Sequence, residues 1–272
     1  MEVIGKILEI LQTSMDVPTA YGWFHLMFVI LTVIATVLLC VFFRDCDKKT
    51  FKRIVMISWI IMIFFEVYKQ VSNSFFYSDG KIVFDYPWIY FPFQLCSTPF
   101  YVLPFIFLLK DGKVKDIFMS FLMSFSLFGG LAVMLYPGDV FNNMVGINIQ
   151  TMFHHGIQTM MGIYCMVYNR KRLNFKFWLQ GVYLFIPLVF IALGLNISIY
   201  NILDSMGIHE TCNMFFIGPY YPCTLPVLSM IYPMVPYIVF LLIYILGFTL
   251  VSYIVYLAQL GIYKLVLKKY GN

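Results

Sequence analysis

The chain's strongest constraint is a repeated pattern: runs of about twenty almost uncharged residues, each stopped by charge or turn-forming residues. The runs are 22–43, 53–76, 88–109, 116–136, 147–168 and 177–200, followed by a polar loop over 201–224 and a long apolar stretch over 225–263. At about 1.5 Å per residue, twenty helical residues cross the roughly 30 Å of hydrocarbon in a bilayer. The last stretch is too long for one crossing and too short for two. Pro226, Pro233 and Pro236 remove backbone donors from its first part, so 225–236 reads as a broken or interfacial segment and 237–263 as the seventh span.

Composition excludes a water-soluble domain. Hydrophobic residues make up 61% of the 272, charged residues only 11%, and mean hydropathy is +0.85, where a soluble domain has about a quarter of its residues charged. The expected fold is an all-α polytopic transmembrane bundle of about seven spans, because in lipid each segment must satisfy its own backbone hydrogen bonds. Residues 1–20 read as an interfacial segment and 21–272 as a single transmembrane helical domain. Val3, Ile4, Ile7, Leu8 and Leu11 share one helical face, with Glu2, Lys6, Glu9 and Thr13 opposite. No basic stretch precedes an apolar core here, so this is not read as a cleaved signal peptide.

Charge sets the expected orientation. Fifteen of the 18 basic residues fall on one side: Arg44, Lys48, Lys49, Lys52 and Arg53; Lys110, Lys113 and Lys115; Arg170, Lys171, Arg172 and Lys176; and Lys264, Lys268 and Lys269. Only Lys6 and Lys81 fall opposite, and Lys69 lies within a span. The basic side is expected in the cytoplasm, with the N-terminus outside, as a multi-pass protein of the cell membrane. The basic residues sit in short loop clusters, which does not suggest nucleic-acid binding. Six cysteines without a CxxC pair make neither a disulfide nor a zinc scaffold, and no cofactor or metal is expected. Oligomeric state is left open.

Polar residues inside apolar runs are costly and require a partner or a function. Glu66, Lys69, Gln70 and Asn73 share one face of the second span, where Glu66 and Lys69 are placed to pair. Gln94, Cys96, Ser97 and Thr98 lie between Pro92 and Pro99; a buried cysteine is more often an inert small hydrophobe. His154 and His155 follow Gln150 and precede Gln158, with residues 150, 154 and 158 forming a stripe. Histidines there can also serve only to join helices. In the outer loop, Cys212 and Cys223 are potential disulfide partners.

Depth links three of these sets. Cys96 stands about eight residues into its span and His154 and His155 about the same into theirs, roughly 10–12 Å below the outer boundary. Glu66 lies about ten residues from its own outer end. A thiol, an imidazole and a carboxylate in one layer are the parts of an activated cysteine nucleophile.

Phe93-Gln-Leu-Cys96 with Pro99 and Leu103-Pro104, the His154-His155 helix, Thr211-Cys-Asn-Met-Phe-Phe216 with Pro219, and Gly129-Gly130 with Pro137 together resemble the transmembrane protein 164 family and its bacterial relatives over about 60–230. Gln94 stands where many relatives have histidine, and Cys212 is additional. The resemblance implies an integral membrane lipid acyltransferase or transacylase. Cys96 would carry the acyl chain as a thioester, and His154 or His155, with His154 preferred, would act as base. Glu66, Lys69, Gln70, Asn73, Gln94, Gln158 and Asn213 would bind or orient substrate. Membrane lipids would be both acyl donor and acceptor. The same Cys–His pair would hydrolyse a lipid ester if water reached it. A different class, a transporter or receptor, would instead use Glu66, Lys69, Gln70, Asn73, Gln150 and His154 to line a polar pathway.

The charge asymmetry makes a topological prediction. Single cysteines substituted at Lys171 and Asp204 in a cysteine-free background should label from opposite sides of the membrane, Lys171 from the cytoplasm. Labelling from the same side would contradict the assignment.

Overall fold

The computed structural model describes residues 2–138 and 140–270, with side chains over 3–138 and 140–265. The side chains of Glu2, Lys268 and Lys269 lie outside the described residues. The chain is an all-α bundle, and among the described residues five helices are long and apolar enough to cross a membrane: α2 (Trp23–Phe42), α3 (Lys48–Ser74), the run Lys113–Leu135, α8 (Phe175–Ser205) and α10 (Tyr237–Tyr270), the last over Tyr237–Leu265. Within Lys113–Leu135, α5 (Lys113–Phe121) and α6 (Leu127–Leu135) flank a single π-helical turn, Leu122–Ser126. The other helices are α1 (Glu2–Leu11), α4 (Pro99–Leu108), α7 (Val145–Tyr168) and the short α9 (Leu228–Ile231).

α7 is long enough to span, at 24 residues, but carries many polar side chains. It holds them because it is the most enclosed helix, packed against α2, α3 and α6, with Asn148, Gln150, Thr151, His154, His155, Gln158 and Thr159 all buried. Opposite it, an aromatic ladder ties the π turn to the last helices: Phe125 stacks on Phe185 at 4.4 Å, Phe185 on Phe248 at 6.0 Å, and Tyr244 on Phe248 at 4.4 Å. The π turn frees main-chain carbonyls, and side-chain amides take them up. Gln259 donates to Met123 O at 2.8 Å and Gln158 to Ser126 O at 2.7 Å.

The expected third span, 88–109, is not one helix. Residues 75–84 form a β-hairpin, β1 (Phe75–Ser78) paired antiparallel with β2 (Lys81–Phe84), and helical structure resumes as a continuous run only at Leu95–Leu108. Asp79 and Gly80, both at positive φ, supply the tight turn that Asp-Gly favours. Pro87 and Pro92 then force extended backbone on the residues before them. A hydropathy count registers none of this, because the side chains stay apolar. The remaining 14 residues give about 21 Å of helix, too short to cross alone. α8 also runs further than expected, to Ser205, so Asp204 is helical. Gly207 ends α8 at φ 70 with the paired bonds Ile208 N to Leu203 O and Gly207 N to Asp204 O, a geometry suited to glycine. The region 225–236 is broken, as its prolines imply, into α9 and a 3₁₀ turn.

The helix ends sort by charge. The loops after α2, α4 and α7 meet at one end. There Arg170 bonds Asp45 and the Arg44 carbonyl, Arg172 pairs with Asp116, and Asp111 pairs with Lys48 at 2.6 Å and Lys115 at 2.9 Å. At the opposite end α1 packs against the hairpin, with Leu8 buried and Val3, Ile4, Ile7 and Ile10 exposed as an apolar face. Gln12 anchors the end of α1 by donating to Ser72 O and Phe75 O, each at 2.8 Å.

The Asp111 pairs give a pH prediction. Lys48 and Lys115 hold its carboxyl down to about 2, from its ordinary 3.8. A lowered carboxylate contributes stability that is complete above the unfolded value and disappears as pH falls through the folded one. Wild type should therefore melt higher than Asp111→Asn in detergent above pH 5. The gap should narrow from pH 4 downward and close near pH 2. A gap independent of pH over that interval would contradict the pairing.

Candidate functional site

Cys96 occupies the second position of the helical run Leu95–Leu108, which starts inside the bundle because the preceding segment is non-helical. Gln94, at φ −97 and ψ 166, is the extended residue before the first turn, and Pro99 opens α4, where a missing N–H costs nothing. The first N–H groups of such a run have no earlier carbonyl to bond. Here Ser97 N bonds Gln94 O and Thr98 N bonds Leu95 O, so the N–H groups of Leu95 and Cys96 are the ones without a main-chain acceptor among the described residues.

Height brings Cys96 to His154. Cys96 is twelve residues before Leu108, and His154 fourteen before Tyr168, so each sits on the order of 20 Å above the basic loops. The two share a layer, but Cys96 reaches it as the start of a half-length helix and not eight residues down a full span. Contact is direct: His154 Nε2 is 2.8 Å from the Cys96 carbonyl oxygen. A carbonyl only accepts, so Nε2 carries the proton and Nδ1 the lone pair. His155 is the mirror case, with Nδ1 donating to Thr151 O at 2.8 Å and the lone pair on Nε2. Both lone-pair nitrogens are buried without a partner. The rings lie edge to face at 5.0 Å, and Phe100 covers His154 at 4.9 Å.

On its other side Cys96 opens onto an apolar cavity of about 510 Å³. Leu95, Phe128, Gly129, Ala132 and Val133 form one wall; Phe215, Phe216 and 225–228 form the cover; Tyr244, Phe248 and Val251 of α10 form the back. Gly129 has to be small, since a Cβ there would stand 3.3 Å from Gln158 Nε2 and 3.7 Å from the Cys96 backbone.

The remaining sequence candidates divide. Glu66 and Lys69 do form the expected ion pair, at 2.8 Å and largely enclosed. Glu66 does not line the cavity, whose walls are α6, the 215–228 segment and α10. Gln70 instead bridges Glu66 Oε1 at 2.6 Å and Tyr90 O at 2.9 Å, tying α3 to the segment that leads to Cys96. Asn73 bonds back to Lys69 O in its own helix. Neither these four nor Gln150 and His154 line the cavity. Gln158 reaches Ser126, through the carbonyl at 2.7 Å and the hydroxyl at 3.1 Å. Cys212 and Cys223 are both free and buried.

Gln94 and Asn213 hold the cover in place. Gln94 donates to Asn213 O at 2.9 Å and accepts from Phe215 N at 2.7 Å, while Asn213 accepts from Gly218 N at 2.7 Å. A residue not anticipated from sequence completes the clamp. Asn196 of α8, fully buried, donates to Met214 O at 2.9 Å and accepts from Met214 N at 2.7 Å. It was visible as one amide in an apolar run. The clamp holds strained backbone: Phe215, Phe216 and Val227 all have φ near +60°, and all three line the cavity. Non-glycine residues in that region persist only where their surroundings fix them.

The family model of the TMEM164 family matches residues 20–256, and the chain belongs to that family. No curated protein matches the chain. No solved structure matches it.

The clamp makes a stability prediction. Asn196→Ala should leave the Met214 N–H unpaired in an apolar setting, at about 1–3 kcal/mol, and the Met214 carbonyl with only the 3.3 Å bond from Ile217 N. Thermal unfolding in detergent should fall by several degrees, and proteolysis should begin between 210 and 228. An unchanged melting temperature and cleavage pattern would show that the cover is held otherwise.

Proposed function

We propose that this member of the TMEM164 family is a membrane lipid acyltransferase or transacylase working through a thioester on Cys96. The observation that carries the reading is the position of one residue between two environments. The Cys96 carbonyl meets buried His154, which packs on His155, and Cys96 also lines an apolar cavity able to take an acyl chain.

In the first step the Cys96 sulfur attacks the ester carbonyl of a donor lipid. The thiol proton passes to a histidine, the C–S bond forms, and the ester C–O bond breaks. The histidine then returns the proton to the departing lipid alkoxide. In the second step a hydroxyl of an acceptor lipid gives its proton to the same histidine and attacks the thioester, and the proton ends on the regenerated thiol. Each step replaces one difficult transfer with an easier one. The Leu95 and Cys96 N–H groups, which have no main-chain acceptor, would be the donors available to negative charge developing on the carbonyl oxygen. His154 is the preferred base because its ring already contacts Cys96. Its Nδ1, which carries the lone pair, would turn toward the thiol once substrate fills the cavity, since catalytic contacts often form only in the complex. His155 packs against it and orients it. Lys69, paired with Glu66, supplies fixed positive charge near the thiolate.

The test is Cys96→Ala and Cys96→Ser in the full-length protein, assayed with lipid extract in detergent or vesicles. Wild type should gain the mass of an acyl group, released by neutral hydroxylamine, and neither variant should. Lipid remodelling should fall by roughly 10³-fold or more in both. Released fatty acid in place of a new lipid ester would identify hydrolysis by the same pair. Full transfer by Cys96→Ala would overturn the reading.

A further inference from the structure

A second cavity lies at the basic end of the bundle, at the opposite end of α4 from Cys96. It measures about 480 Å³ and is formed where the loops after α2, α4 and α7 converge. Arg44, Lys48, Lys115, Arg170, Lys171 and Arg172 line it, against Asp45, Asp111 and Asp116, leaving a surplus of three positive charges. We propose that this cavity binds a phosphate-bearing anion, the chemistry shared by an acidic lipid headgroup and a soluble phosphate ester.

Membrane orientation needs basic residues in these loops but not a common cavity, and gathering six cations around one void is unfavourable unless an anion occupies it. The three carboxylates are already engaged. Asp45 takes Arg44 and Arg170, Asp111 takes Lys48 and Lys115, and Asp116 takes Arg172. Lys171 has no carboxylate within ion-pair distance among the described residues, and its ammonium is exposed at the rim. Two of the cations are enclosed and held by carboxylates. The Arg170 side chain is 11% exposed and the Lys115 side chain 5%. Arg172 lies over the Phe177 ring at 5.5 Å. Held guanidinium and ammonium groups are the usual phosphate donors in proteins. Met119 and Tyr168 also line the cavity, so a bound headgroup would meet apolar surface beside the charge.

The test titrates the purified full-length protein in neutral detergent with dioctanoyl phosphatidic acid, dioctanoyl phosphatidylcholine and glycerol 3-phosphate, by calorimetry at two salt concentrations. Phosphatidic acid should bind on the order of tenfold or more tighter than phosphatidylcholine, and more weakly at high salt. Lys171→Glu should lose that preference, Lys171→Arg should keep it, and Lys81→Glu, at the other end of the chain's charge pattern, should leave it unchanged. Cys96→Ser should bind as wild type, which separates this result from acyl transfer. Glycerol 3-phosphate binding as tightly as phosphatidic acid would identify a soluble ligand, and its failure to bind a lipid one. Equal binding of phosphatidic acid and phosphatidylcholine, or an equal loss in Lys81→Glu, would overturn the proposal.

Discussion

At several places where the backbone of this bundle departs from the α-helix, a polar side chain from another part of the chain takes up the group that is freed. Gln70 meets Tyr90 O, His154 meets Cys96 O, and Gln94 and Asn196 meet both sides of the 213–215 backbone. Gln158 and Gln259 meet the carbonyls of the π turn. In lipid no water is available for this, so irregular backbone persists at depth only where protein supplies the partners. The polar residues scattered through the apolar runs are, in large part, these partners. They allow a half-length helix to begin in the middle of the bundle, and the candidate nucleophile stands at that beginning.

The same bonding explains what the sequence could disclose. The long helices were legible because hydrocarbon thickness sets their length, and the ends of α2, α3 and α7 fall within a few residues of those expected. The 88–109 run misled because apolar content does not distinguish a helix from extended chain. Pro87, Pro92 and Asp79-Gly80 carried the warning instead. At the site, the meeting of Cys96 with His154 was legible from depth, and the Glu66–Lys69 pair from helical spacing. The cavity walls were not, since Gly129, Phe215 and the α10 residues come together only through helix order. Asn196 was passed over because a single amide gives no periodic pattern.

The cover over the cavity combines two opposite features. Its backbone is strained at Phe215, Phe216 and Val227, yet two amides clamp it from separate helices and Phe93 stacks on Phe215 at 5.7 Å. Strain held by a few hydrogen bonds gives a segment that is well defined when closed and has an alternative within reach. Lipid-sized molecules need a lateral way into an enclosed apolar space, and this cover is an irregular wall of the cavity.

The π turn at 122–126 has a consequence for the stretch that contains it. One additional residue per turn shifts everything after it by about 100° around the helix axis. α5 and α6 follow one another along nearly the same line, yet they are out of phase and present different faces to different neighbours. Ser120, before the turn, accepts from Gly181 N of α8, while Gly129 and Gly130, after it, lie against α7 and Cys96. A single uninterrupted helix would turn one of these surfaces away from its partner. Residues 113–135 therefore behave as two rotors locked at a fixed offset, and the offset decides which residues of α6 reach Cys96.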